Sequence, residues 1–131
     1  MKINKALLDR LTEQAKESPR LRMHYDLRDA ENDQSQRMLN AIEPGSPLPI
    51  HRHCRTSETM VCLRGKLVVE YYDEIERICI DSVVIEPNGQ NVAVSIPIGV
   101  WHTVHSLESG TCILEMKNGI FEPLEEKDIL N

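Results

Sequence analysis

Apolar residues near the N-terminus recur with the period of an α-helix. They fall on one face, with charged residues between them: Ile3, Leu7, Leu8, Leu11 and Ala15. Asn4 is a suitable N-cap, and the Ser-Pro pair at 18–19 ends the segment. The pattern therefore predicts an amphipathic helix over residues 3–17.

From residue 37 onward, short apolar segments alternate with turn residues. The predicted strands are 37–42, 58–64, 66–72, 77–85, 91–96, 100–106 and 112–117. Gly65 lies between two of these strands and predicts a hairpin. The polar residues 20–35 predict a loop before the first strand. Short strands at regular spacing are typical of an all-β sandwich or barrel.

We expect a single domain built from three parts. Residues 1–36 form the N-terminal helix and its connecting loop, packed on a barrel of residues 37–120. Residues 121–131 form an acidic, loosely packed C-terminal tail.

Composition and charge narrow the class of protein. Hydrophobic residues make up 40% of the chain, which is enough for a packed core. The net charge of -6 disfavours nucleic acid and anionic membranes as partners. There is no apolar N-terminal signal and no run long enough to span a membrane. The scattered cysteines favour free thiols in a reducing compartment, so we expect a cytoplasmic protein. They are Cys54, Cys62, Cys79 and Cys112.

Three histidines and a glutamate form a pattern with metal-binding chemistry. His51 and His53 are two residues apart, so an extended strand projects both from one face. Glu58 begins the next strand, and His102 lies far downstream. These four side chains can converge inside a small barrel, where imidazole and carboxylate suit Fe, Mn, Ni, Cu, Co or Zn. The alternative is a set of structural histidines with a surface glutamate.

The spacing of these residues resembles the cupin superfamily. The first cupin motif is matched at Gly45, His51, His53, Glu58 and Gly65, and the centre of the second at Pro97, Gly99 and His102. The second motif usually has Gly and Asn where this chain has Asn91 and Ser106. The resemblance implies a jelly-roll-like double-stranded β-helix. It also implies one divalent transition metal (Zn, Fe, Mn or Ni) held by His51, His53, Glu58 and His102.

A closer resemblance covers nearly the whole chain. Residues 18–22, 36–41, 58–66, 96–103 and 115–119 look like the WbuC-type cupin-fold metalloproteins. That family is associated with bacterial gene clusters for O-antigen and other surface polysaccharides. The resemblance implies a carbohydrate context and no particular reaction.

Four further residues are candidates for binding a substrate. Arg37 and Asn40 are more polar than their strand requires, and Glu115 is a candidate by position. Arg64, like Arg37, offers paired donors to a carboxylate or phosphate, so we expect an anionic sugar as ligand. Arg20 and Arg22 belong to the same group of arginines. The alternative is that these are solvated or ion-paired surface residues.

Strand alternation excludes two tempting ligands. His105 and Cys54 are at odd spacing from their neighbouring histidines, so both point away from the metal. Cys62 has the parity of Glu58 and is expected inside the barrel as a buried thiol. His24 is expected at the surface.

Three functions fit these features. The first is a metal-dependent protein that binds or transforms a carbohydrate-derived small molecule, for example as an isomerase or epimerase. The others are a non-catalytic sugar-binding module and an Fe(II) dioxygenase. We also expect a homodimer, because Val61, Leu63 and Val68 lie in strands that are apolar on both faces.

Overall fold

The computed structural model describes residues 1–130. Within them lie one α-helix, a short 3-10 turn at Glu126–Asp128 and ten strands. In chain order these are α1 (Lys5–Glu17), β1 (Arg22–Asp26), β2 (Ser35–Ile42), β3 (Ile50–His51), β4 (Glu58–Arg64), β5 (Leu67–Tyr72), β6 (Cys79–Ile85), β7 (Ala93–Ile96), β8 (Trp101–Ser106), β9 (Cys112–Asn118) and β10 (Ile129–Leu130). No helix in this part of the chain is long and apolar enough to cross a membrane.

The strands form two five-stranded antiparallel sheets. The first has the order β1-β2-β9-β4-β7, and the second has the order β10-β3-β8-β5-β6. Alternate residues of both sheets point between them and form the main core, which includes Leu67, Val69, Ile85, Ile96 and Ile113. The predicted all-β fold with an N-terminal helix is confirmed.

Helix α1 packs on the outer face of the first sheet. Its N-cap is Asn4, whose Oδ1 accepts a hydrogen bond from the Leu7 backbone nitrogen at 3.0 Å. Leu11 and Ala15 are buried against apolar residues of β2 and β9. Leu63 of β4 packs against the same cluster.

Residues 20–35 contain a strand that the sequence pattern did not predict. β1 pairs with β2 along its whole length, from Arg22 opposite Ile42 to Asp26 opposite Met38. Met23, Tyr25 and Leu27 alternate along this segment and pack beside α1. That alternation could have predicted the strand. The charged residues between the three apolar residues made the segment resemble a polar loop instead.

Gly65 is a crossing between the sheets rather than a hairpin turn. β4 belongs to the first sheet and β5 to the second, so the two strands do not pair. Gly65 has a φ of +84°, and a Cβ at this position would lie 2.6 Å from the Thr111 Cα. The turn therefore needs both the left-handed backbone and the missing side chain of glycine.

Of the segment 121–131, which was expected to be a loosely packed tail, residues 121–127 are exposed and 129–130 form a strand, and residue 131 lies outside the described residues. β10 pairs with β3, with Ile129 opposite His51. Asp128 accepts a hydrogen bond from the Arg52 Nε at 3.2 Å, and Glu122 contacts Arg55 at 2.8 Å. These contacts bring the segment close to the strand that carries the predicted histidines.

Candidate metal centre

Two strands of the second sheet position the three histidines. His51 on β3 lies directly opposite His102 on β8. His53 follows two residues after His51, and its backbone carbonyl accepts a hydrogen bond from the Gly99 nitrogen at 2.9 Å. Gly99 has a φ of +82°, a value that residues other than glycine rarely adopt. The turn before His102 is thereby fastened to the chain that carries His53.

The three imidazoles converge on one point. Each offers a ring nitrogen, and these ligand atoms all lie within 4.8 Å of one another. Glu58 reaches the cluster from β4 in the opposite sheet. Its Oε2 is 2.8 Å from the Nε2 of His53 and 4.0 Å from the Nε2 of His102. The structure thus brings together all four residues that the motif spacing predicts.

Unpartnered polar atoms show that this set fits a cation. The Nε2 atoms of His53 and His102 and the Oε2 of Glu58 are buried, and none has a hydrogen-bond partner among residues 1–130. The 2.8 Å contact between His53 and Glu58 is therefore close but not aligned as a hydrogen bond. Buried polar atoms without partners are costly, and a divalent metal between them would satisfy all three.

Backbone carbonyls fix the orientation of two imidazoles. The Nδ1 of His51 lies 2.9 Å from the Pro49 carbonyl oxygen, and the Nδ1 of His102 lies 2.9 Å from that of Val100. A proton on each Nδ1 donates to the carbonyl, which leaves the Nε2 lone pair free to bind a metal. Both rings are thus held in the tautomer that a ligand requires.

Electrostatics favour the protonation states that bind metal. Burial, together with the nearby His102, lowers the pKa of His51 to about 4. Burial alone would raise the pKa of Glu58, but the adjacent His53, Lys117 and His102 outweigh it and lower that pKa. At neutral pH, His51 is therefore neutral and Glu58 is ionised, which are the forms of these side chains that bind a metal.

Lys117 belongs to the site although sequence analysis did not select it. It lies opposite Glu58 on β9, and its Nζ is 3.8 Å from the Glu58 Oε2. Lys117 shares a strand face with Glu115, two residues earlier, which was the signal that could have identified it.

A cavity of about 350 Å³ opens beside the histidines. Asn40 and Glu115, both predicted to bind substrate, line it. The Asn40 Nδ2 donates a hydrogen bond to the Glu115 Oε1 at 3.3 Å. Burial and the nearby Glu58 raise the pKa of Glu115 to about 7. The cavity is also lined by Arg20, Arg22, His24, Lys117 and residues 121–124 of the C-terminal segment.

Arg37 and Arg64 do not line this cavity, in contrast to the expectation from sequence. Arg37 has the opposite strand parity to Asn40, and its guanidinium contacts Asp33 at 3.2 Å. Arg64 lies on the helix side of the first sheet, where it contacts Asp9 at 2.6 Å and donates to the Gly110 carbonyl at 2.8 Å. Arg37 instead lines an adjoining cavity that shares Glu115 and Lys117 with this one. A substrate contact for Arg37 or Arg64 stays a prediction.

Other candidates also have positions outside the cluster. His105 points out of the second sheet, with its Nε2 2.8 Å from Glu70. The Cys54 Sγ donates to Asp128 at 3.1 Å, whereas Cys62 is buried in the core between the sheets. All four cysteines are free.

Trp101 is buried beneath the Arg52 guanidinium, which lies 4.6 Å from its ring centre.

Solved structures similar to this chain share its fold. An oxalate oxidase in complex with the substrate analogue glycolate is 18% identical, with a TM-score of 0.64 over 81% of this chain and 55% of its own length. KdgF from Halomonas sp. is 14% identical, with a TM-score of 0.60 over 78% of this chain and 82% of its own. The TT1209 protein from Thermus thermophilus is 21% identical, with a TM-score of 0.63 over 91% of this chain and 98% of its own.

These are cupin-fold proteins, and at such identities the likeness shows the fold alone. This chain spans just over half of the oxalate oxidase chain. No curated protein matches it in sequence. A family model matches residues 3–84, which is more than half of the chain. The protein therefore has a cupin fold and belongs to the family described as a domain of unknown function, DUF6016.

Proposed function

We propose that this protein binds one divalent transition metal through His51, His53, Glu58 and His102, and uses it to bind or transform a carbohydrate-derived small molecule. The observation that carries the proposal is the convergence of three imidazole nitrogens within 4.8 Å, two of them buried without hydrogen-bond partners among the described residues. When bound, such a metal supplies Lewis acidity toward an oxygen ligand.

The residues around the centre are suited to handling a polar substrate. Glu115 has a pKa near 7, so its carboxyl can give or take a proton near neutral pH. Asn40 orients that carboxyl, and Lys117 places a positive charge beside Glu58. A proton donor or acceptor next to a metal centre favours an isomerase or epimerase over a module that only binds sugar.

The carbohydrate part of the proposal rests on the resemblance to WbuC-type cupins. Under this proposal the protein acts in the cytoplasm, in the assembly of a bacterial surface polysaccharide such as O-antigen. Incubation with sugar nucleotides, followed by chromatography of the products, tests it. A product that the wild type forms and Glu115→Gln does not form supports catalysis. Tight binding without any product supports the sugar-binding alternative.

Metal content provides the decisive measurement for the centre. We expect the purified protein to contain about one metal per chain, and His51→Ala with His53→Ala to lower metal affinity at least about 100-fold, because two ligands are lost. Inductively coupled plasma mass spectrometry measures both.

His105→Ala is the matched control for this experiment, since His105 is an exposed histidine of β8 that points away from the proposed metal centre. It should keep the full metal content. Metal retained by the double variant at the wild-type level would overturn the proposed centre.

A further inference from the structure

The cavity beside the histidines contains two polar atoms without partners on the wall formed by the first sheet. The Arg22 Nε and the Asn40 Oδ1 are both buried, and neither has a hydrogen-bond partner among residues 1–130. One atom is a charged donor and the other is an acceptor. Leaving such buried atoms unsatisfied destabilises the folded state. A ligand that satisfies both must carry an oxygen acceptor and a hydrogen-bond donor, and the charge of Arg22 favours an anionic acceptor.

Arg22 differs from most other arginines of this chain in its pairing. Arg28, Arg37, Arg52, Arg55 and Arg64 each lie within 4 Å of a carboxylate. In the described part of the chain, Arg20 and Arg22 form no such ion pair, although both line the cavity. Two unpaired guanidinium groups at one wall are notable in a protein with a net charge of -6.

The carboxylates of the cavity already have partners. Glu58 lies beside Lys117 and the histidines, Glu122 contacts Arg55, and Glu115 accepts from Asn40. None of them forms an ion pair with Arg22 within 4 Å, although Glu115 is close enough to act on its pKa. A singly charged ligand suits this balance better than a doubly charged phosphate, which would face all three acidic side chains.

We infer that this cavity binds a small hydroxylated carboxylate of the sugar-acid type, with its carboxylate on Arg22 and a hydroxyl donating to the Asn40 Oδ1. Arg22 provides charge-assisted hydrogen bonds to the carboxylate. The volume of about 350 Å³ is at the small end of the range for small-molecule sites. The inference deepens the proposed function by naming the ligand class, but the contacts with Arg22 and Asn40 do not require the metal.

Calorimetry on the protein as purified, with the His51→Ala and His53→Ala double variant as the comparison that lacks two metal ligands, tests the inference directly. D-gluconate is the probe, and sorbitol is its neutral counterpart with the same number of carbons. We expect gluconate to bind and sorbitol to bind about tenfold more weakly or worse, because it has no charge for Arg22. Equal binding of the two, no binding of gluconate at millimolar concentration, or a preference for D-glucose 6-phosphate would overturn the inference.

Variants then assign the contact to Arg22. Arg22→Gln should weaken gluconate binding about tenfold or more, and Arg22→Lys should lie between it and the wild type. Arg10→Gln is the matched control, since it removes one exposed positive charge from α1. Unchanged gluconate binding by a folded Arg22→Gln protein would contradict the assignment. The comparison of gluconate with sorbitol on the wild type remains decisive if the variant does not fold.

The two proposals can fail separately in these measurements. A wild-type protein that binds gluconate through Arg22 but holds no stoichiometric metal would overturn the metal centre alone. A protein that holds metal through its histidines and ignores gluconate would overturn the sugar-acid site alone.

Discussion

At the scale of single residues, Glu115 combines two unusual properties. Its carboxyl lines the cavity, where burial and the charge of Glu58 raise its pKa to about 7. Asn40 holds it by a hydrogen bond of 3.3 Å. The proton on Glu115 is therefore bound more tightly in the folded chain than in the unfolded chain, where the pKa is 4.5. Folding stability must then depend on pH through this residue.

We predict that the free energy of unfolding of metal-free Glu115→Gln, measured relative to that of the metal-free wild type, is larger at pH 8 than at pH 5. Between pH 4.5 and 7 the folded protein holds more protons than the unfolded chain, so the wild type loses stability as the pH rises. Glutamine, which does not titrate, removes that loss. Urea unfolding at both pH values should show the difference growing by about 1–3 kcal/mol toward pH 8. Glu17→Gln, on exposed helix surface, is the control. An equal effect of Glu115→Gln at both pH values would contradict the prediction.

The convergence of the four proposed ligand residues could be predicted from sequence, because strand alternation and the family motif set their spacing. His51, His53, Glu58 and His102 needed only alternation and the family motif. Arg22 was one of a group of candidate arginines in the sequence, and separating it from Arg37 and Arg64 required knowledge of strand β1 and its pairing. Long-range pairing brings these groups together, and pairing is not encoded in local spacing.

At the scale of secondary-structure elements, local sequence patterns predicted where strands lie better than which strands pair with each other. The predicted strand 58–64 coincides with β4, and most other strands differ by one or two residues at an end. The partner of β4 could not be read locally, because β4 and β5 belong to different sheets. Whether a glycine closes a hairpin or connects two sheets depends on what lies against it, here Thr111.

Gly65→Ala should therefore destabilise the protein more than a similar change at another left-handed glycine. Gly65 and Gly119 have φ values of +84° and +94°, so alanine is strained at both, by about 1–2 kcal/mol. Only at Gly65 would the added Cβ approach a backbone atom, the Thr111 Cα. Thermal and urea unfolding should show Gly65→Ala to be at least about 1 kcal/mol more costly than Gly119→Ala. Equal costs would mean that Thr111 moves aside freely.

At the scale of the whole molecule, helix α1 packs on the outer face of the first sheet, whereas some apolar residues of the second sheet stay exposed. Helix α1 covers Leu63, which the sequence assigned to a subunit contact. The edge strand β6 is less well covered, and its residues Ile80 and Val84 are 63% and 38% exposed. An edge strand with exposed apolar side chains is prone to pair with another chain.

The homodimer stays a prediction, and sedimentation equilibrium at micromolar concentration checks it. We expect twice the chain mass, because the apolar residues of β6 lie unburied in the single chain. A single species of monomer mass across the micromolar range would contradict it.

The four proposed ligands come from two different sheets, with Glu58 on β4 and the histidines on β3, β8 and the segment after β3. An ion held by all four would link the sheets at the open end of the barrel, as a cross-link does. Ligand binding to the folded state alone adds about 2.7 kcal/mol of stability at a concentration 100 times the Kd. The lifetime of the protein against cellular proteases would then follow the supply of the metal, so a cell short of the ion would lose the protein itself as well as its activity.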